Sequence, residues 1–151
     1  MLPLPKKPSV QVNTVQGRDH PAWKLLVDQK DDLKESVRFF QPEQLNQFHF
    51  RTLLVAQLDK CIVGIISVHN SSAYHENAVG VGYVSTHKKF KNLGVATAMV
   101  KALFLHAQLE GKAIVNSPYE LEGEIYLQPV MQNVSNKYPT IEFVERDYSI
   151  G

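Results

Sequence analysis

The residues that could do chemistry are concentrated in one stretch, Val84-Ser85-Thr86-His87-Lys88-Lys89-Phe90-Lys91-Asn92-Leu93-Gly94-Val95-Ala96-Thr97. It reads as a strand end, a basic loop HKKFKN over residues 87–92, and the opening of an amphipathic helix. The first amides of a helix have no internal partners and sit at the positive end of its dipole, which makes an anion site suited to a pyrophosphate. Gly94 has no side chain to hold a ligand off the backbone, and Ala96 is small. Lys88, Lys89 and Lys91 add positive charge beside them. The same residues also suit a plain strand–loop–helix joint with a solvated lysine cluster. Other phosphate motifs fit worse: there is no Walker loop, and Gly80-Val81-Gly82 lacks the third glycine of a dinucleotide fingerprint.

To hold that stretch in place the chain must build a sheet and helices. Val10, Val12 and Thr14 alternate with Gln11 and Asn13, as in a first strand. Gly17 to Pro21 reads as a turn, with Asp19 placed to cap the helix that follows. Residues 21–40 carry Trp23, Leu25, Leu26, Leu33, Val37 and Phe40 at mostly helical spacing, and polar Asp28 to Asp32 divides two helices. Thr52 to Leu58, Cys61 to Val68 and Val79 to Thr86 read as three strands in an antiparallel meander. In the third, Val79, Val81, Tyr83 and Ser85 share one face by simple alternation, and Gly80, Gly82, Val84 and Thr86 the other. Residues 69–78 form a polar loop.

A helix is expected from about Leu93 to Glu110, with Val95, Ala96, Met99, Val100, Leu103 and Ala107 inward and Gly111 as its C-terminal cap. Ala113 to Val115 is a short buried strand, residues 120–136 a helix interrupted by Pro129, and Thr140 to Glu145 a last strand. The order β1-α1-α2-β2-β3-β4-α3-β5-α4-β6 makes an α/β (α+β) fold, a mixed and largely antiparallel central sheet flanked by helices. One domain is expected over residues 1–151, with Pro3, Pro5 and Pro8 making 1–8 an extended lead-in.

Lys91-Asn92-Leu93-Gly94-Val95-Ala96, after a strand and opening a helix, resembles the acyl-CoA loop of the GNAT N-acetyltransferases. That family's pattern is Gln or Arg, two residues, Gly, one residue, then Gly or Ala. Lys91 departs from it but keeps a basic residue. The element order over roughly residues 9–147 is also similar. The resemblance implies that Lys91 through Thr97 hold the CoA pyrophosphate and that the backbone of Val84, Ser85 and Thr86 pairs with the pantetheine arm. Asn116 and Tyr126 stand roughly where the family often carries an Asn and a Tyr, at a longer spacing here. The family usually ends in two strands after the last helix, and only Thr140 to Glu145 is legible in this chain.

The implied reaction is acetyl transfer from acetyl-CoA directly to an amine of a small molecule or protein, with no metal and no acyl-enzyme. The alternative is a GNAT-fold acyl-CoA-binding regulatory or interaction module without turnover. Under the first reading a strand-end N–H around Val84 polarises the thioester carbonyl. Tyr126 is the general acid for the CoA sulfur, a thiol and a phenol having pKa values of about 8.5 and 10. Under the bland reading Tyr126 is a half-buried helix tyrosine. The third meander strand carries no carboxylate, where many family members have a Glu. The candidate bases are Glu76, His69, His75 and His87, or a water chain, each equally readable as a surface residue. His69 and His75 alone are a weak metal signal. Cys61 has no neighbouring His in sequence and reads as a packed or surface thiol. Glu120, Glu122 and Glu124 would attract a cationic amine at an acceptor mouth, or form the acidic first turn of the last helix.

Composition narrows the classes. Lys plus Arg is 16 against 15 for Asp plus Glu, a net charge of +1, which argues against a protein that coats nucleic acid. The one cysteine excludes an internal disulfide and a Cys-based zinc site. No apolar run approaches the ~20 residues of a membrane span, so no membrane partner is expected. The N-terminal MLPLPKKP holds no secretory signal, so a cytoplasmic setting is expected and the glycosylation patterns at Asn70 and Asn133 carry no meaning. An exposed sheet edge near the C-terminus would favour a homodimer. A protein that meets some other anion, and never binds CoA, is the third class.

Overall fold

The computed structural model describes residues 9–36, 48–70, 77–90, 94–116 and 121–145, and for 34–36, 83, 88 and 121–126 it describes the backbone. The elements are β1 (Gln11–Val15), α1 (Pro21–Asp28), α2 (Lys30–Ser36), β2 (Arg51–Leu58), β3 (Cys61–His69), β4 (Ala78–Thr86), a 3-10 turn (Lys88–Phe90), α3 (Val95–Glu110), β5 (Ala113–Asn116), α4 (Leu121–Lys137) and β6 (Phe143–Glu145). The order is the one expected. The strands lie side by side in sequence order in one six-stranded sheet. β1 to β4 pair antiparallel. β5 and β6 then join parallel, because α3 and α4 carry the chain back along the sheet before each of them.

Each face of the sheet has its own core. Leu54, Ile66, Val68, Val79, Val81 and Ile114 pack with Val95, Met99, Leu103 and Phe104 of α3 and Met131 and Val134 of α4. Val15, Leu53, Val55, Ile62 and Ile65 pack on the other face with Ala22, Leu26 and Leu33 of α1 and α2. Gly64 of β3 lies directly beneath the start of α3. A Cβ there would fall 2.7 Å from Met99 Sδ and 3.0 Å from Val95 Cγ1, so the glycine sets how closely the helix opening approaches the sheet.

Several expectations change in detail. Asp19 is not the cap of α1. Pro21 takes the first helical position, which puts the cap at His20, whose Nδ1 accepts the Ala22 N–H at 3.0 Å. The break between α1 and α2 falls at Gln29, which is pinned to the β2–β3 turn. Its Nε2 donates to the Lys60 carbonyl at 2.6 Å and its Oε1 accepts the Ile62 N–H at 2.9 Å. α3 begins at Val95 rather than Leu93, because Gly94 turns the chain into the left-handed region at φ 77. α4 runs through Pro129 without ending. β6 begins at Phe143, because the Tyr138 carbonyl accepts the Ile141 N–H in a turn and delays it.

The largest correction concerns β4. Ser67 pairs with Tyr83 and Val68 with Val81, so Gly82 is an extra residue in a β-bulge. Val79 and Val81 therefore share the α3 core with Val84, not with Ser85, which lies opposite Ile65 of the other core. A bulge reverses the alternation of every residue after it.

Candidate active site

β4 and β5 pair from Ala78 with Ala113 to Val81 with Asn116. β5 ends there, while β4 runs on through the Gly82 bulge to Thr86. Among the described residues no strand covers that last half of β4 on the β5 side. His87 N–H donates to the Val63 carbonyl of β3 at 2.8 Å. Successive strand residues turn their backbone polar groups to alternate sides, so Ser85 faces β3 as His87 does. Val84 and Thr86 thus turn theirs to the open edge, where an extended chain carrying amides could pair with them.

Asn116 closes the notch. Its register partner Val81 belongs to the α3 core, so its side chain faces α3 and α4. It is 3% exposed, and its Nδ2 has no hydrogen-bond partner among the described residues. A buried amide group left unpaired costs about 1–3 kcal/mol, so a ligand acceptor would relieve a standing penalty. On the same face Glu145 of β6 accepts from Gln128 Nε2 at 3.0 Å and Gln132 Nε2 at 3.1 Å, which ties α4 to the strand beside Asn116.

The opening of α3 supplies a second anchor. Its first helical bond runs from the Ala98 N–H to the Gly94 carbonyl at 3.0 Å, so the N–H groups of Val95, Ala96 and Thr97 have no helical partner. The cap residue, Gly94, has no side chain to offer them. A Cβ on Gly94 would meet nothing within 4 Å, so the glycine answers a backbone demand and leaves the approach clear. The turn before the helix is held from below by His87, which is 1% exposed. The Lys89 N–H donates to His87 Nδ1 at 3.2 Å, and the Phe90 N–H to its carbonyl at 2.9 Å. Its Nε2 contacts Asp32 Oδ2 of α2 at 3.1 Å.

The expected site residues separate accordingly. Val84, Thr86 and Asn116 gather at the notch, Ser85 turns its backbone to β3, and Gly94 to Thr97 form the helix opening. Lys91, Asn92 and Leu93 lie outside the described residues, as do His75, Glu76 and Glu120. Tyr126 lies on α4, with its backbone alone described. Glu122 and Glu124 fall in the first turn of that helix, where the dipole favours them. His87 is bound at both ring nitrogens and is not free to serve as a base. Burial, reinforced by Asp32 and opposed by Lys89, pushes the Cys61 thiol pKa up, which suits a packed thiol and not a nucleophile. No group of three or more His, Cys, Asp or Glu among the described residues could hold a metal ion. No helix among them is long and apolar enough to cross a membrane.

The sequence reading missed how His69 sits. It ends β3 instead of entering a loop, and its ring lies over Gly80 and Gly82. Two glycines at i and i+2 within a strand were the signal.

A strand left open, among the described residues, beside a parallel neighbour leads through a 3-10 turn towards the N-terminus of α3. The model of the acetyltransferase (GNAT) family matches residues 20–117, and the chain belongs to that family. No curated protein sequence matches it. Among solved structures it is similar to aminoglycoside N-acetyltransferase AAC(6')-Iy in complex with CoA, with a TM-score of 0.64 at 16% identity over 95% of each chain. It is also similar to an aminoglycoside acetyltransferase from an uncultured soil metagenomic sample in complex with sisomicin, with a TM-score of 0.60 at 15% identity over 82% of this chain and 86% of that one. The ribosomal-protein-alanine N-acetyltransferase of Brucella melitensis biovar Abortus 2308 gives 0.60 at 18% identity over 80% and 89%. At these identities the likeness is one of fold.

Proposed function

We propose that the protein transfers an acetyl group from acetyl-CoA directly to an amine. The observation that carries this reading is the notch itself: open β4 backbone at Val84 and Thr86 next to the unpartnered Nδ2 of Asn116. The amides of Val95 to Thr97, which have no partner within the helix, lie at the end of the same path and suit a pyrophosphate. Lys91, Asn92 and Leu93 complete the loop motif. The pantetheine amides pair with the β4 edge through Val84 and Thr86, with Ser85 between them, and with Asn116 across the gap.

Acetyl-CoA supplies the activated carbonyl, and the protein's residues do the rest. An N–H of the β4 edge at Val84 donates to the carbonyl oxygen as charge builds on it. The amine nitrogen bonds to the acyl carbon as the carbon–sulfur bond breaks. Tyr126 gives its phenolic proton to the departing sulfur. No metal is needed for any of these steps. The single thiol, half-buried, suits a reducing cytoplasmic setting.

A second reading, an acyl-CoA-binding module without turnover, rests on β4 itself: Ala78–Thr86 carries no carboxylate to take the amine proton. Thiol release from acetyl-CoA, measured with sisomicin and with an alanine-terminated peptide, separates the two. Amine-dependent release supports transfer. Acetyl-CoA binding without release to any amine supports the module.

A further inference from the structure

The donor elements, α3's opening and Asn116, occupy one face of the sheet. On the other face, where β4 parts from β5, stands His69. Its register partners are Arg51 of β2 and Gly80 of β4, one row of the α1–α2 face. The side chain runs along β4 from Gly80 to Gly82. A Cβ at Gly80 would fall 3.5 Å from His69 Cβ, and a Cβ at Gly82 only 2.6 Å from His69 Nε2. Any other residue at position 82 would displace the ring, so the bulge glycine brings Nε2 to the point where β4 parts from β5.

The backbone beneath the ring is fixed. The next residue, Asn70, donates its N–H to the Phe50 carbonyl at 2.9 Å. Its Oδ1 accepts the Thr52 hydroxyl at 2.7 Å and its carbonyl accepts Lys112 Nζ at 2.8 Å. The ring therefore projects from a clamped strand end.

We propose that His69 is the catalytic residue that takes the proton from the acceptor amine, which approaches the notch from the face opposite the CoA arm. This rests on the acetyl-transfer reading above. It supplies what β4 lacks, a basic group at the bulge. The balance is complete. The nitrogen–carbon bond forms as the amine proton passes to His69 Nε2. The carbon–sulfur bond breaks, its electron pair stays on sulfur, and sulfur takes the Tyr126 proton. The imidazolium then restores the tyrosine through solvent. The surroundings favour the neutral ring that this role requires. Partial burial and, secondarily, the Arg51 charge hold the His69 pKa below its ordinary value of 6.5. From β4, the described residues lying against the ring are Gly80 and Gly82. The other cation near it among the described residues, Lys112, is engaged at the Asn70 carbonyl.

The test is a histidine NMR titration between pH 5 and 9 of the free protein, of the CoA complex and of the acetyl-CoA complex, with saturation verified by calorimetry. The His69 ring signal is identified by its loss in His69→Gln. The expected result is a change in its shift and titration midpoint with acetyl-CoA that CoA alone does not produce. Gly82→Ala, which pushes the ring aside, should remove that difference and leave acetyl-CoA binding intact. With an amine the wild type acetylates, His69→Gln should lower kcat about 100-fold and abolish the acidic limb of the pH profile. Its affinity for acetyl-CoA should stay within about twofold. Binding with no acetyl-dependent change at His69, or wild-type turnover in His69→Gln, overturns the assignment of His69 alone. Failure of either ligand to bind the folded wild type overturns the acetyl-CoA reading and this inference with it.

Discussion

His87 Nε2 lies 3.1 Å from Asp32 Oδ2, and this one contact joins α2 to the turn that delivers the opening of α3. Because the Lys89 N–H occupies Nδ1, the ring carries its proton on Nε2 and donates it to the carboxylate. A helix on one face of the sheet thus steadies the turn that leads to α3 on the other.

Asp32→Ala should cost about 1 kcal/mol in urea unfolding, since it strands a buried donor while the lost carboxylate was half exposed. Asp32→Asn keeps an acceptor and should cost less than half of that. Weaker CoA affinity should follow stability loss across the two variants.

Gly94→Ala forces a Cβ into the left-handed region and should destabilise the fold by about 1 kcal/mol, read from the same unfolding curves. Gly94→Glu adds a negative charge at the helix opening and should abolish CoA binding in a protein that still folds, because nothing within 4 Å crowds the position.

Asn116→Leu should separate stability from binding. It removes a buried amide whose Nδ2 has no partner among the described residues and should raise unfolding stability by about 1 kcal/mol. Acetyl-CoA affinity should fall about tenfold, the loss of one hydrogen bond of about 1.4 kcal/mol. Tyr126→Phe should do the reverse of a binding variant, lowering turnover with CoA affinity nearly unchanged.

Acid should weaken the fold through two histidines. Burial is the main cause that lowers the pKa of His106, as it is for His69, with Lys112 adding to it and Glu110 opposing. Both groups bind protons more readily when unfolded, so stability rises with pH where they titrate. Their contribution is intact above the unfolded value of 6.5 and is lost as pH falls below it toward the folded values. Replacing both with Gln should flatten the stability profile between pH 7 and 5.

The element order could be read from the chain because each element carries its own period. Alternation marks β1 and β4, apolar runs broken at Asp59-Lys60 mark β2 and β3, 3.6-residue spacing marks α3, and Gly94 and Gly111 bracket that helix as positive-φ caps. The basic run before Gly94 is a local feature and shows in the chain in the same way, while Lys91, Asn92 and Leu93 lie outside the described residues. What escaped the reading was non-local. The bulge at Gly82 exists only in the pairing with Ser67 and Val68, and it moved Ser85 to the face opposite Val79 and Val81. The His87–Asp32 bond joins residues 55 apart in sequence. His69 looked like a loop residue because its strand ends on a polar group, and only the register sets it over two glycines.

The measurement that bears most directly on the account is titration calorimetry of the folded protein with acetyl-CoA and with free CoA, alongside Gly94→Glu. The account expects micromolar binding of both ligands by the wild type and none by the variant. No binding at millimolar ligand, or equal binding by Gly94→Glu, would contradict it.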